Sequence, residues 1–199
     1  MTNFKMIGVY GGTFDPIHHA HLILAEWAIN ELHLDFVYFI PAYIHAFKTN
    51  TRLLSADIRY EMINAAIKDF PQFKVSRVEI DRLETSFTVD TLRNLKSYEF
   101  FNKSELIYLI GSDNLSEFPL WKNPEEILSL AKIGVFRRWK FEKPSIDCKY
   151  KNKIIILDSP LINISSTEIR KRIKENKPYR SLVPEGVFTI IEKRKLYKD

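Results

Sequence analysis

Gly8-Val9-Tyr10-Gly11-Gly12-Thr13-Phe14-Asp15-Pro16-Ile17-His18-His19-Ala20-His21 is the stretch whose reading decides the fold. An apolar strand breaks at a glycine pair and hands over to a helix that opens with histidines. Gly11 and Gly12 have no Cβ, so the backbone can turn tightly there and let a phosphate or sugar come close. Free N–H groups at the helix start favour an anion. His18 and His21 stand one helical turn apart, which lets both imidazoles face the same phosphate. The stretch has neither the third spaced glycine of a dinucleotide fingerprint nor the Gly-Lys-Ser/Thr of a P-loop, so it predicts a nucleotide site of another kind.

Outward from it, Leu22, Ala25, Ile29 and Leu32 recur at the spacing of one helical face, and Phe36 to Ile40 is a β-branched and aromatic run stopped by Pro41. That length fits a right-handed βαβ crossover and a parallel sheet. A polar loop from Pro41 to Leu54, containing Lys48, leads to a helix that Ser55 or Asp57 can cap. Lys74 to Val78 is a less apolar strand suited to an edge. After a helix opened by Ser86 or Thr88, Leu106 to Ile110 is the most continuous apolar run and reads as a central strand ending at Gly111-Ser112-Asp113. Two shorter strands follow, Lys132 to Phe136, ending at Arg137-Arg138, and Ile154 to Leu157. The expected fold class is therefore α/β, a doubly wound and mostly parallel sheet, with its ligand beyond the strand ends where the order reverses, flanked by the first and fourth strands.

With 199 residues, 45% of them hydrophobic, the chain suits one core of ordinary size, so a single domain over 1–199 is expected. No run approaches the ~20 apolar residues of a membrane span, and no apolar leader opens the chain, which favours the cytoplasm. A single cysteine, Cys148, excludes an internal disulfide and a CxxC zinc knuckle. The net charge of +5 suits an anionic partner without choosing between nucleotide and nucleic acid.

Ser165-Ser166-Thr167-Glu168-Ile169-Arg170 has capping-box spacing, with Glu168 three residues after Ser165. Its hydroxyls, free N–H groups and Arg170 are the set expected around a triphosphate. Lys177 and Pro178 are expected to stop that helix. The last helix, from about Pro184, reads as structural. Each feature also has a plain alternative: Ser165 as a cap alone, Asp15-Pro16 as the cap and first residue of the histidine helix, Trp121 as core, Asp113 as the cap of its own helix.

Taken in order, these motifs resemble one family over nearly the whole chain. Gly11 to His21 is similar to the adenylyltransferase signature Gly-Gly-x-Phe-Asp-x-x-His-x-Gly-His, with Ala20 in place of the third glycine. Pro41 with Lys48, Ser86 to Leu92, Gly111 to Leu115 with Phe118-Pro119-x-Trp121, and Ile164 to Arg170 complete a likeness to the bacterial nicotinate-nucleotide adenylyltransferases. The chain departs from that pattern at Ala20, Phe47 and Phe87. The resemblance implies attack of the 5′-phosphate of nicotinate mononucleotide on the α-phosphate of ATP, with Mg²⁺, giving deamido-NAD and pyrophosphate without a covalent intermediate. It implies catalytic roles for His18 and His21. ATP and its phosphates would be held by Gly11, Gly12, Thr13, Phe14, Lys48, Arg138, Ser165, Ser166, Thr167 and Arg170. The mononucleotide would be held by Thr88, Gly111, Asp113 and Trp121.

No protein metal site is expected beyond a weak candidate in Asp15. The partners are then ATP and the mononucleotide, without nucleic acid or membrane, and the oligomeric state stays open between monomer and homo-oligomer. No acidic side chain stands at Thr88 or Trp121 to prefer an amide over an acid. Two other readings stay open: a sibling adenylyltransferase using nicotinamide mononucleotide, and a non-catalytic basic RNA-binding module.

Overall fold

A computed structural model describes residues 5–45, 53–137 and 148–198. The elements in chain order are β1 (Met6–Gly12), α1 (His19–Leu32), β2 (Phe36–Pro41), β3 (Ile44–His45), α2 (Ala56–Ile67), β4 (Phe73–Val75), β5 (Thr85–Ser86), α3 (Thr88–Ser97) and α4 (Glu99–Asn102). They continue with β6 (Glu105–Gly111), α5 (Ser112–Leu115), α6 (Pro124–Leu130), β7 (Lys132–Phe136), β8 (Ile154–Leu157), α7 (Ser166–Lys174) and α8 (Glu185–Arg194). Six strands form one sheet in the order β4-β2-β1-β6-β7-β8, every neighbouring pair parallel. The chain winds outward one way from β1 and the other way from β6, so the order reverses between these two hydrogen-bonded neighbours.

Both faces of the sheet are covered, which is why its strands read as apolar runs rather than alternating ones. Along β1, Ile7 and Val9 join an apolar cluster with Val89, Leu92 and Ile127 of α3 and α6, while Tyr10 faces the opposite cluster with Leu22, Ala25 and Ile169. β6 alternates likewise: Leu106, Tyr108 and Ile110 on the first side, Ile107 and Leu109 on the second. Burying a leucine such as Leu92 contributes about 1.5–3 kcal/mol. No helix among the described residues is long and apolar enough to cross a membrane.

Several boundaries differ from those expected. β1 does not break at the glycine pair but runs through Gly12. The edge strand is shorter than expected and is Phe73–Val75, with only β2 beside it. The loop after Pro41 contains β3, which pairs with β5 in a small separate sheet that the sequence did not announce. Ser55 does cap α2, its Oγ accepting from the Ile58 N–H at 3.3 Å. The helix at Ser166 stops before Lys177 and Pro178. Asn176 takes the left-handed conformation (φ 52°), and the N–H groups of Asn176 and Lys177 return to the carbonyls of Ile173 and Arg172.

Candidate active site

Beyond the C-terminal ends of β1 and β6 lies a cavity of about 630 Å³. Every site residue read from the sequence that falls among the described residues lines it. His18, His21 and Gly11 to Phe14 come from the β1–α1 passage, Ser165, Ser166, Thr167 and Arg170 from the start of α7, and Thr88, Gly111, Asp113 and Trp121 from the other side. Lys48, Phe47 and Arg138 lie outside the described residues.

The passage after β1 is built differently from the expectation. No glycine has a positive φ, so the pair supplies no left-handed turn; Phe14 does, at φ 49°. The glycines give room instead. A Cβ on Gly11 would stand 2.2 Å from the Tyr108 hydroxyl, and one on Gly12 would stand 2.9 Å from the Phe14 ring. Nor does Asp15-Pro16 start the helix. His18 is the N-cap of α1, and Asp15 is 1% exposed, its Oδ1 accepting from the Tyr197 hydroxyl at 2.6 Å.

His18 and His21 do face each other, their rings stacked at 3.7 Å between centroids. His21 Nδ1 accepts from the backbone N–H of His18 at 3.2 Å, so in the neutral ring the proton sits on Nε2. That nitrogen is then the ring's donor. Phe14 sets its edge against His21 at 5.0 Å and limits the ring's freedom. Thr13 Oγ1 is buried without a hydrogen-bond partner among the described residues.

At the start of α7, Ser165 Oγ accepts from the Glu168 N–H at 3.2 Å. The box is only half closed, because the Glu168 carboxylate turns to Arg172 Nε at 2.9 Å. Ser166 Oγ donates to the Pro16 carbonyl at 2.9 Å, and Arg170 donates to the Asp15 carbonyl at 2.7 Å. The helix is thus fastened to the loop that precedes the histidines.

Arg59 completes this fastening. It is 1% exposed and donates to the carbonyls of Leu54 (3.0 Å), Thr13 (2.7 Å), Ala42 (2.6 Å) and Tyr43 (3.3 Å). Burial pulls its pKa down, an effect that the negative charge of Asp15 partly offsets. The sequence reading missed Arg59, although its spacing with Ala56, Met62, Ile63 and Ala66 puts it on the core stripe of α2.

On the other side, Thr88 Oγ1 and the Tyr108 hydroxyl lie 3.3 Å apart. Burial, with a smaller contribution from the charge of Glu79, raises the Tyr108 phenol well above its usual range, so it stays protonated. Trp121 packs edge-on to Tyr108 at 6.1 Å, and its indole N–H is buried without an acceptor among the described residues. Asp113 lies in the first turn of α5.

Besides Asp15, Asp113 and Glu117, the cavity is lined by an acid that the sequence reading did not place there: Glu79, buried and bonded to the hydroxyls of Ser86 and Thr91. Burial pushes its carboxyl up, against those hydroxyls and the charges of Arg82 and Arg59, which pull it down. Its place between Val78 and Ile80 was the one sign of burial in the sequence. Among the described residues no cluster of three or more His, Cys, Asp or Glu side chains could hold a metal ion.

Comparison with known proteins gives a concordant result. The cytidylyltransferase-like family model matches residues 9–172. A probable nicotinate-nucleotide adenylyltransferase of Clostridium beijerinckii is 42% identical, the match covering 98% of this chain and all of that one. Its counterpart in Clostridium botulinum is 39% identical over 98% of this chain and 99% of its own. The Plasmodium falciparum nicotinic acid mononucleotide adenylyltransferase complexed with NaAD has the same fold, with a TM-score of 0.79, 21% identity and 97% of each chain covered. The chain belongs to the cytidylyltransferase-like family and, within it, to the nicotinate-nucleotide adenylyltransferases.

Proposed function

We infer that the cavity transfers the adenylyl group of ATP to nicotinate mononucleotide. An oxygen of the mononucleotide's 5′-phosphate attacks the α-phosphorus, the bond from that phosphorus to the bridging oxygen of the β-phosphate breaks, and pyrophosphate leaves as deamido-NAD forms. One observation carries this reading: the stacked histidines and the start of α7 converge on one face of the cavity, with Thr88, Asp113 and Trp121 on the other. Such a reaction asks for positioning and charge stabilisation rather than a protein nucleophile. His18, His21, Thr13 and Arg170 would take the ATP phosphates, supported by Gly11, Gly12, Phe14, Ser165, Ser166 and Thr167. Thr88 and Trp121 would hold the pyridine, and Gly111 with Asp113 a ribose.

Nucleotidyl transfer from ATP generally uses a divalent cation, here Mg²⁺. The ion would be carried by the ATP phosphates, and the positive charge of Arg59 beside the buried Asp15 carboxylate weighs against a protein ligand there. Residues 1–199 would act as one catalytic domain in the cytoplasm, the helices from about 165 carrying the second phosphate-binding motif.

The deciding measurement is pyrophosphate release with ATP, Mg²⁺ and each mononucleotide in parallel. Donors facing a carboxylate lose a partner when they meet an amide NH₂, at about 1–3 kcal/mol per group. Nicotinate mononucleotide should therefore be preferred by roughly 10²-fold in kcat/KM, the yield of two such losses. Glu79 is a feature that would favour the amide, since an ionised carboxylate could accept from that NH₂. Activity on the amide alone would assign the chain's substrate to the other pyridine.

A further inference from the structure

The loop that carries His18 into the cavity is held from the far end of the chain. After α8, Lys195 closes the helix in the left-handed conformation, with the N–H groups of Lys195 and Leu196 returning to Glu192 and Ile191. Tyr197 then adopts a second left-handed conformation, φ 62°, unusual for an aromatic residue and maintained only where surroundings over-determine it. Two contacts determine it: the ring packs against the large apolar cluster that includes Tyr10, Phe14 and Ile17, and the hydroxyl donates to Asp15 Oδ1 at 2.6 Å across 182 residues of sequence. Burial, and then the charge and hydrogen bond of Asp15, raise the Tyr197 phenol, so it remains a donor across the working pH range. Asp15 Oδ2 is buried without a hydrogen-bond partner among the described residues, so Tyr197 is the described group that fixes how this carboxylate lies. Asp15 also offers its carbonyl to Arg170, which reaches the same cavity from α7.

We propose that Tyr197 is a positioning residue for adenylyl transfer: through Asp15 it sets the loop from which His18, His21 and Arg170 meet the ATP phosphates. The proposal rests on the reading of the cavity given above, and it adds a requirement that no motif of the sequence carries. A loop that must hold two imidazoles against developing charge tolerates little displacement, since a shift of about 1 Å can cost 10²-fold in rate.

The test is Tyr197→Phe in the full chain, beside Leu196→Ala as a packing control in the same tail. For Tyr197→Phe, kcat should fall roughly tenfold, with the KM for ATP altered and the KM for the mononucleotide unchanged. Leu196→Ala should lower Tm while leaving kcat and the KM for ATP within twofold of the parent. Wild-type kcat and KM in a folded Tyr197→Phe would overturn the proposal, as would equal kinetic losses in both variants, which would mean simple tail packing. Should Tyr197→Phe fold poorly, Tyr197→Trp fills the ring site without that hydroxyl and must show the same kcat loss. Calorimetric binding of a non-hydrolysable ATP analogue separates this proposal from the broader one. If the parent binds the analogue but transfers to no pyridine mononucleotide, the proposed function fails. The tail's role then stands or falls on whether Tyr197→Phe weakens the analogue.

Discussion

The two sides of the cavity are held together in different ways. On the side proposed for the phosphates, the carbonyls of Thr13, Asp15 and Pro16 each accept from a side chain elsewhere in the chain, Arg59, Arg170 and Ser166 in turn, at 2.7 to 2.9 Å. On the side proposed for the pyridine, the hydroxyls of Thr88 and Tyr108 meet at 3.3 Å, Trp121 packs edge-on to Tyr108, its N–H lacks an acceptor among the described residues, and the adjacent Leu120 is 80% exposed. The difference follows the chemistry. Charge develops on phosphate oxygens, so donors there must already be in place, whereas the pyridine only has to be held. A rigid half and an adaptable half make one site.

The strongest way to break this contrast is to loosen the rigid half. Arg59→Ala leaves several buried carbonyls without a donor at about 1–3 kcal/mol each, so unfolding in denaturant should show a loss of about 3 kcal/mol or more. A loss under about 1 kcal/mol would mean that water replaces the guanidinium and that the half is not rigid. Next comes the chemistry itself. His21→Ala, and His18→Ala beside it, should lower kcat by roughly 10²-fold with circular dichroism unchanged, the size of one lost transition-state contact. A folded His21→Ala with near-normal kcat would remove the reason for the rigidity.

The adaptable half should respond less. Thr88→Ala should raise the KM for the mononucleotide about five- to tenfold, one hydrogen bond's worth, leaving Tm and the KM for ATP near the parent values. If instead it destabilised the protein as much as Arg59→Ala, the contrast between the halves would be wrong.

The sheet and the cavity's motifs were legible in the sequence for a physical reason. Strands buried on both faces announce themselves as apolar runs such as Leu106 to Ile110, and most residues that line the cavity lie in short stretches at strand ends. The clamps were not legible. Arg59, Ser166 and Arg170 bond to backbone carbonyls across 46, 150 and 155 residues, and a carbonyl leaves no mark in a sequence. Asp15 illustrates the conflict directly: locally Asp-Pro is a good helix start, but the bond to Tyr197 claims its carboxylate and α1 begins at His19 instead. Glu79 escaped because a lone acid between two apolar residues has no spacing to report.

The 182-residue span between Asp15 and Tyr197 also bears on the order of assembly. Closing so long a loop carries an entropic cost that grows as the logarithm of its length, and contacts of this range are the slow ones in reaching the native state. The β1–β2 pairing, by contrast, joins segments only one helix apart. A chain diluted out of denaturant should accordingly regain its far-ultraviolet signal before it regains turnover, with a lag between the two that reports when the loop ahead of His18 receives its last restraint.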